Sequence, residues 1–219
     1  MFDQPSERLD RRHFLIGGAA LAGTLVVGWA LLPPRQRLDG STLPPMRHGD
    51  VKLNGWVMIG KDSRVIVVLA KSEMGQGVMT ALPTLVAEEL DVPLSTIRLV
   101  QAPLDKIYGD TTMMADGLPF HPEDQSAMHH LGRWLSRKIE RELGIQVTGG
   151  SSSVKDCWLP MREAGASARA RLMLAAAIRW GVPVSECGTS DGRVTHARGL
   201  KATYGELAAD AAELGDVSF

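Results

Sequence analysis

A chain of 219 residues that is 44% hydrophobic and 22% charged is long enough to bury a core and too apolar to remain disordered. Its formal charge of -1, from 24 Lys+Arg against 25 Asp+Glu, and its lack of a basic stripe interleaved with aromatics argue against nucleic acid as a partner. The two cysteines, Cys157 and Cys187, stand outside any CxxC or Cys/His spacing, so this chain by itself builds neither a zinc site nor an iron–sulfur cluster.

At the amino terminus, Asp10-Arg11-Arg12-His13-Phe14-Leu15 resembles a twin-arginine export signal, and Phe14 to Leu32 supplies the apolar stretch that follows one. That route carries folded proteins, which suits a protein that takes up a cofactor before export. The alternative for residues 1–32 is a membrane anchor through residues 14–32, because about nineteen residues at ~1.5 Å rise nearly span a hydrocarbon core. Both readings place the folded part in the periplasm. Residues 33–52, with Pro33, Pro34, Pro44 and Pro45, read as an extended linker, and the folded domain as 53–219.

Asn54–Gly60 and Arg64–Ala70 are β-branched and apolar runs separated by Lys61-Asp62-Ser63, the pattern of a hairpin. The glycine-rich loop KSEMGQGVMT (Lys71 to Thr80) follows, then a helix whose apolar face is Val78, Leu82, Leu85, Val86 and Leu90, weakened at its start by Pro83. Thr96–Ala102 alternates as a strand. The loop therefore lies at the carboxyl end of a strand in a strand-loop-helix-strand unit, where open α/β sheets hold ligands. Leu104–Pro122 has no period and reads as a loop. Gln125–Leu143 reads as a helix with a solvated basic run (Arg133, Arg137, Lys138, Arg141).

A second glycine loop, TGGSSSV (Thr148 to Val154), opens the alanine-rich helix Lys155–Trp180. A hairpin around Asp191-Gly192 and a helix from Tyr204 to Leu214 complete the chain. The fold class is α+β, a mixed sheet with packed helices. Two glycine loops at helix starts form a candidate cradle for a large anionic cofactor: helix starts expose free N–H groups and partial positive charge, while Gln76, Thr148 and Ser151 to Ser153 add donors. Ordinary strand-to-helix turns are the competing reading. GQGVMT lacks the Gly-Lys-Ser/Thr ending of a nucleotide P-loop, no GxSxG frames the serines, and the spacing of His129-His130 is no metal site. Glu73 reads as a cap beside the first loop.

From about Leu53 to Leu214 the chain resembles the amino-terminal part of the molybdopterin-binding large (beta) subunit of isoquinoline 1-oxidoreductase-type enzymes, within the molybdenum hydroxylases that include xanthine and aldehyde oxidoreductases. The resemblance rests on EMGQG (Glu73 to Gly77), LVAEEL (Leu85 to Leu90), TGGSSSV, REAGASAR (Arg162 to Arg169), RWGVP (Arg179 to Pro183) and YGELA (Tyr204 to Ala208). It implies that Met74, Gly75, Gln76 and Gly77 touch the pterin or phosphate edge, and that Thr148, Gly149, Gly150, Ser151 and Ser153 hold a molybdopterin cytosine dinucleotide. It also implies oxidation of an N-heterocycle or aldehyde with water-derived oxygen, a small subunit carrying [2Fe–2S] clusters and electron delivery to a membrane cytochrome c. The family's later glycine-phenylalanine-glycine loop and carboxyl-terminal glutamate base have no match here. No catalytic residue is therefore assigned, and the expectation is a partial large subunit, inactive without its remainder. The alternative is an exported non-catalytic binding or interaction module that keeps the fold.

Overall fold

The computed structural model describes residues 23–24, 28–29, 32, 36–121 and 123–215. The chain divides into two units, Met1–Arg35 and Gln36–Phe219, and the elements below belong to the second. The export-signal or anchor reading of residues 1–32 lies almost entirely outside the described residues. Among the described residues no helix is long and apolar enough to cross a membrane.

Strands β1 (Val51–Lys52), β2 (Val57–Ile59), β3 (Val65–Leu69) and β4 (Ile97–Gln101) form a mixed sheet in that order. The pairs β1–β2 and β2–β3 are antiparallel and β3–β4 is parallel, with Val65 opposite Ile97. A strand with neighbours on both sides and covered faces needs an unbroken apolar run, and β3 reads Val-Ile-Val-Val-Leu with every residue buried. Its hairpin with β2 closes through Ser63 N donating to Gly60 O at 2.9 Å. The parallel step to β4 is made by α1 (Val78–Glu89), which buries Val78, Leu82, Pro83, Val86 and Ala87. Pro83 sits inside this helix without ending it.

Helix α1 packs on the longest helix, α4 (Ser153–Trp180). The alanine-rich face of α4 includes Ala164, Gly165 and Ala168, all buried. At Gly165 a Cβ would lie 2.7 Å from Glu89 Cβ and 3.2 Å from Val86 O, so glycine there sets how closely the two helices approach. The glycine of the REAGASAR block is thus a packing residue. Gly165→Val is expected to lower unfolding free energy by about 1–3 kcal/mol through overpacking, measured by urea denaturation; an unchanged midpoint would refute this contact. Gly181 in the left-handed region, with φ 64°, ends α4, and Pro183 follows.

The second sheet is the antiparallel β5 (Cys187–Ser190), β6 (Arg193–His196) and β7 (Lys201–Thr203). Asp191 and Gly192 have φ of 48° and 71°, the two positive angles that a tight two-residue hairpin requires. Thr203 and Glu206 then form a reciprocal capping box that starts α5 (Tyr204–Glu213). Tyr204 Oη donates to Leu90 O at 2.7 Å and ties α5 to the end of α1. Strands β1 and β7, of two and three residues, are the elements the sequence pattern did not reveal.

The stretch read as a linker is docked. Trp56 Nε1 donates to Arg37 O at 2.5 Å, Gly55 N to Leu38 O at 2.6 Å, and Val51–Lys52 pairs into the sheet. The loop read over Leu104–Pro122 holds a turn of 3-10 helix at Lys106–Tyr108 and the short α2 (Met113–Asp116).

Helix α3 (Ala127–Leu143) carries the solvated basic face expected from its sequence only in part, with Arg137 exposed and Arg133 half-buried. His129, Lys138, Glu140 and Arg141 are buried, whereas Met128, Leu131, Leu135, Ile139 and Leu143 are exposed. The buried charges find partners the sequence could not show. Arg141 donates to Lys106 O and to Gln36 O, and the Lys138 ammonium lies 4.9 Å from the Trp134 ring centroid.

Candidate functional site

The first glycine loop leaves β3 at the carboxyl end of the parallel β3–β4 pair, and the second leads into α4. They meet directly. Ser72 N donates to Thr148 Oγ1 at 2.9 Å, and Lys71 Nζ donates to Val147 O at 3.1 Å. The residues proposed from sequence, Met74, Gly75, Gln76 and Gly77 on one side and Thr148, Gly149, Gly150, Ser151 and Ser153 on the other, thus belong to two adjoining loops.

The loops differ in what they leave free. In the first, the Glu73 carboxylate accepts from Gly75 N at 2.8 Å, Gly77 N at 2.9 Å and Met79 N at 3.0 Å. These N–H groups, Gly77 and Met79 foremost, hold Glu73 below its usual carboxylate pKa. Gln76 is likewise engaged inside the loop, accepting from Met74 N at 2.6 Å and donating to Ser72 O at 2.9 Å, which leaves one amide N–H for an outside acceptor. A carboxylate of the chain's own occupies the α1 amino terminus, where an external anion would otherwise sit.

The second loop has no such occupant. Ser152 caps without a side-chain bond to the helix, its hydroxyl turning instead to Asp110 at 2.6 Å and Gly149 O at 2.9 Å. Among the described residues, the N–H groups of Gly150, Ser151, Ser153, Val154 and Lys155 and the hydroxyl of the buried Ser153 have no acceptor or donor partner within the chain. Gly150 and Ser151 both lie in the left-handed region, with φ of 58° and 55°. At Gly149 a Cβ would meet nothing within 4 Å and φ lies outside the left-handed region, so neither packing nor backbone angle within this chain demands glycine. The chemistry fits an anionic cofactor approaching the backbone at Gly149 and ending on the free N–H row of α4.

Beneath the loops lies an ionic cluster that sequence reasoning missed. Lys71 Nζ is 2.6 Å from Asp110 Oδ2 and 3.2 Å from Asp156 Oδ2, all three side chains being essentially inaccessible. Arg37 Nη1 pairs with Asp156 Oδ1 at 2.9 Å. Burial raises the Asp110 carboxyl, but hydrogen bonds from Lys71 and Ser152 outweigh it and hold the group well below the carboxylate range. The available signal was a lysine ending an unbroken buried strand and an aspartate in the first turn of a long helix, opposite charges at adjoining element ends. Cys157 sits beside this cluster with its thiol pushed up to about 12, chiefly by burial, so it is protonated and inert. Both cysteines are free. Among the described residues no three His, Cys, Asp or Glu side chains gather as a metal site.

Glu140 borders the same cluster. Its Oε1 accepts from Met114 N at 2.6 Å, while its buried Oε2 has no partner. Burial, reinforced by repulsion from Asp110 and Asp156, raises its pKa above 4.5. A carboxyl raised by folding is best tolerated when protonated, so its ionisation removes stability as pH climbs through the ordinary carboxylate value towards the folded one. Glu140→Gln keeps the acceptor for Met114 and is expected to raise the thermal midpoint at neutral pH by roughly a few °C, the gain fading in acid. A midpoint that falls at neutral pH would contradict the assignment.

A cavity of about 460 Å³ lies between the turns at Asp62–Arg64, Val92–Thr96 and Asp191–Arg193 and touches neither glycine loop. It carries both charge signs without a convergent group, and the loop pair remains the candidate because the free donors are there.

A family described as "Molybdopterin cofactor-binding domain" matches residues 20–115. The chain is 33% identical over 204 residues to the beta chain of isoquinoline 1-oxidoreductase from Brevundimonas diminuta, covering 92% of this chain and 22% of that protein. It is 24% identical over 188 residues to a nicotinate dehydrogenase subunit from Pseudomonas putida, covering 86% of this chain and 13% of the relative. Among solved structures it resembles a Cu,Mo-CO dehydrogenase over 69% of this chain and 15% of that one, at 19% identity and a TM-score of 0.43. The chain therefore spans about a fifth or less of the length of these curated relatives. The sequence blocks, the cofactor-domain match and the relatives converge on one likeness: the chain is similar to the molybdopterin-binding large subunits of molybdenum hydroxylases of the isoquinoline 1-oxidoreductase type.

Proposed function

We propose that this chain forms one wall of the molybdopterin cytosine dinucleotide site of an exported molybdenum hydroxylase and is inactive without the rest of the large subunit. The observation that carries the proposal is the set of free N–H groups at Gly150, Ser151, Ser153, Val154 and Lys155 beside Gly149, in a loop whose Thr148 accepts from Ser72 at the start of the first glycine loop. The negatively charged dinucleotide tail is assigned to Thr148, Gly149, Gly150, Ser151 and Ser153. Glu73 already neutralises the α1 start, so Met74, Gly75, Gln76 and Gly77 are assigned contacts with the uncharged pterin edge.

The cofactor supplies, when bound, two-electron oxidation of a carbon next to nitrogen or of an aldehyde carbon with water-derived oxygen. The names of the two relatives favour the N-heterocycle. This chain's own contribution is to bind, orient and fix the charge of the tail. A small subunit with [2Fe–2S] clusters and a membrane cytochrome c are the proposed electron route. The paired Arg11-Arg12 and the apolar run after them support export to the periplasm. The outward apolar face of α3, with Leu131, Leu135 and Ile139, is assigned to contact with the rest of the large subunit. The buried side of α3 is tied to the second loop through the short α2, since Met114 bonds Glu140 and Met113 lies beside Gly150.

Co-expression with the complementary large-subunit sequence, followed by metal analysis and acid release of the nucleotide, tests this reading. Stoichiometric molybdenum and cytidine monophosphate in the purified complex are expected. A stable complex lacking both would overturn the cofactor assignment and leave the interaction-module reading, as would substrate oxidation by the 219-residue chain alone overturn its dependence on a remainder.

A further inference from the structure

We infer that Lys71 and Arg37 are positioning residues: with Asp110 and Asp156 they form a buried ionic joint that fixes the two glycine loops in one register. The inference rests on the two-loop cofactor reading and adds to it the parts that set the spacing, one of them from the segment upstream of the sheet.

The Lys71 ammonium donates to Asp110 Oδ2 at 2.6 Å and to Val147 O at 3.1 Å, and it is ion-paired with Asp156 Oδ2 at 3.2 Å. Asp110 Oδ2 also accepts from Ser152 Oγ at 2.6 Å, and its Oδ1 from Thr112 N at 2.8 Å and Met113 N at 2.9 Å. The second glycine loop is therefore held at both ends, at Val147 through Lys71 and at Ser152 through Asp110. The first loop is held at its origin, because Lys71 adjoins Ser72, whose N–H reaches Thr148. On the far side Arg37 grips both oxygens of Asp156, at 2.9 Å and 3.2 Å, and bonds Ile107 O at 2.9 Å and Gly109 O at 3.0 Å.

Two cations thus balance two carboxylates, drawn from four separate segments. A buried ion pair gains little stability over well-packed apolar residues because of the desolvation of its charges. What it does supply is direction: each bond has a fixed partner and length, so the segments meet in one arrangement. A rigid first contact is what a ligand gripped simultaneously by two loops requires. The joint also makes Arg37 a member of the site, so the folded cradle extends upstream to residue 37.

The test reads inter-loop geometry in the full 219-residue chain. Spin labels at Met74→Cys and Val154→Cys, both exposed positions, report the distance between the loops by pulsed electron resonance, while the native Cys157 and Cys187 are buried and spared. The parent chain is expected to give a narrow distribution. Arg37→Gln is expected to broaden it by about twofold, and Lys71→Gln by more, with helical circular dichroism retained. Ser152→Ala removes the hydroxyl's contacts with Asp110 and Gly149 O and leaves every charge in place, so it is expected to broaden the distribution less and serves where a charge variant does not fold. A parent distribution already broad, or variant distributions as narrow as the parent, would overturn the joint. Nucleotide loading measured on the same variants in the co-expressed complex separates the two ideas. An unloaded parent complex sinks the cofactor reading and leaves the distance result standing, whereas full loading with unchanged distances sinks the joint.

Discussion

Replacing Lys71 with methionine is expected to lower the unfolding free energy by about 3–5 kcal/mol, the usual effect of removing one partner from a buried ionic group and leaving the other charges uncompensated. Lys71 is wholly inaccessible, and its loss would leave Arg37 to pair with Asp156 and take from Asp110 its paired cation. The pH dependence distinguishes this cause from loss of packing. Burial by itself lowers the Lys71 pKa, but Asp156 and Asp110 more than reverse it, so the folded value lies above 10.5. A cation raised by folding contributes stability that is complete below its unfolded pKa and disappears as pH rises through the folded one. Asp110, depressed by Lys71 and Ser152, contributes stability that is complete above the ordinary carboxylate pKa of 3.8 and disappears as pH falls towards its folded value. The parent chain should therefore hold a plateau between those limits. In Lys71→Met the alkaline decline attributable to Lys71 is gone and the acid decline moves up towards neutrality. Urea unfolding across pH measures both arms; an acid limb that stays in place would show that Lys71 does not govern Asp110.

Much of the architecture is legible in local pattern because local physics dictates it. The Val65–Leu69 run has the unbroken apolar character of a central strand, Asp191-Gly192 is the dipeptide of a tight hairpin, and Gly181 followed by Pro183 ends a long helix. The two loops were legible for the same reason: glycines cluster where a strand hands over to a helix. The ionic joint was not, because its members are 39 and 119 residues apart along the chain and no spacing rule links them. Helix α3 shows a second kind of failure. Its amphipathic period is plain in sequence, but which face turns inward depends on what covers it, and here Lys138 and Arg141 face the interior. Sequence divided the labour between the loops only in part. That both carry glycine at a helix start and that Glu73 caps the first was visible, whereas nothing filling the second follows from side-chain direction alone.

That division gives Gly149 a property that sets it apart from Gly75, Gly77 and Gly150. A methyl group there meets no atom within 4 Å and demands no unusual backbone angle. Gly149→Ala is accordingly expected to change unfolding free energy by less than about 0.5 kcal/mol, as for an ordinary surface substitution. Gly77 is the control. Its φ of +85° places a side chain in the left-handed region, so Gly77→Ala is expected to lose about 1–2 kcal/mol whether or not a ligand binds. If the space above Gly149 is where an anionic cofactor approaches the backbone, the added methyl stands between the ligand and the N–H row of Gly150 to Lys155. Loss of one such contact at about 1.4 kcal/mol would reduce nucleotide loading of the co-expressed complex about tenfold. The two measurements decide the matter jointly. Unchanged stability with lost loading places the ligand over Gly149, whereas unchanged stability with full loading would mean that the glycine serves nothing at this site and that the tail lies elsewhere.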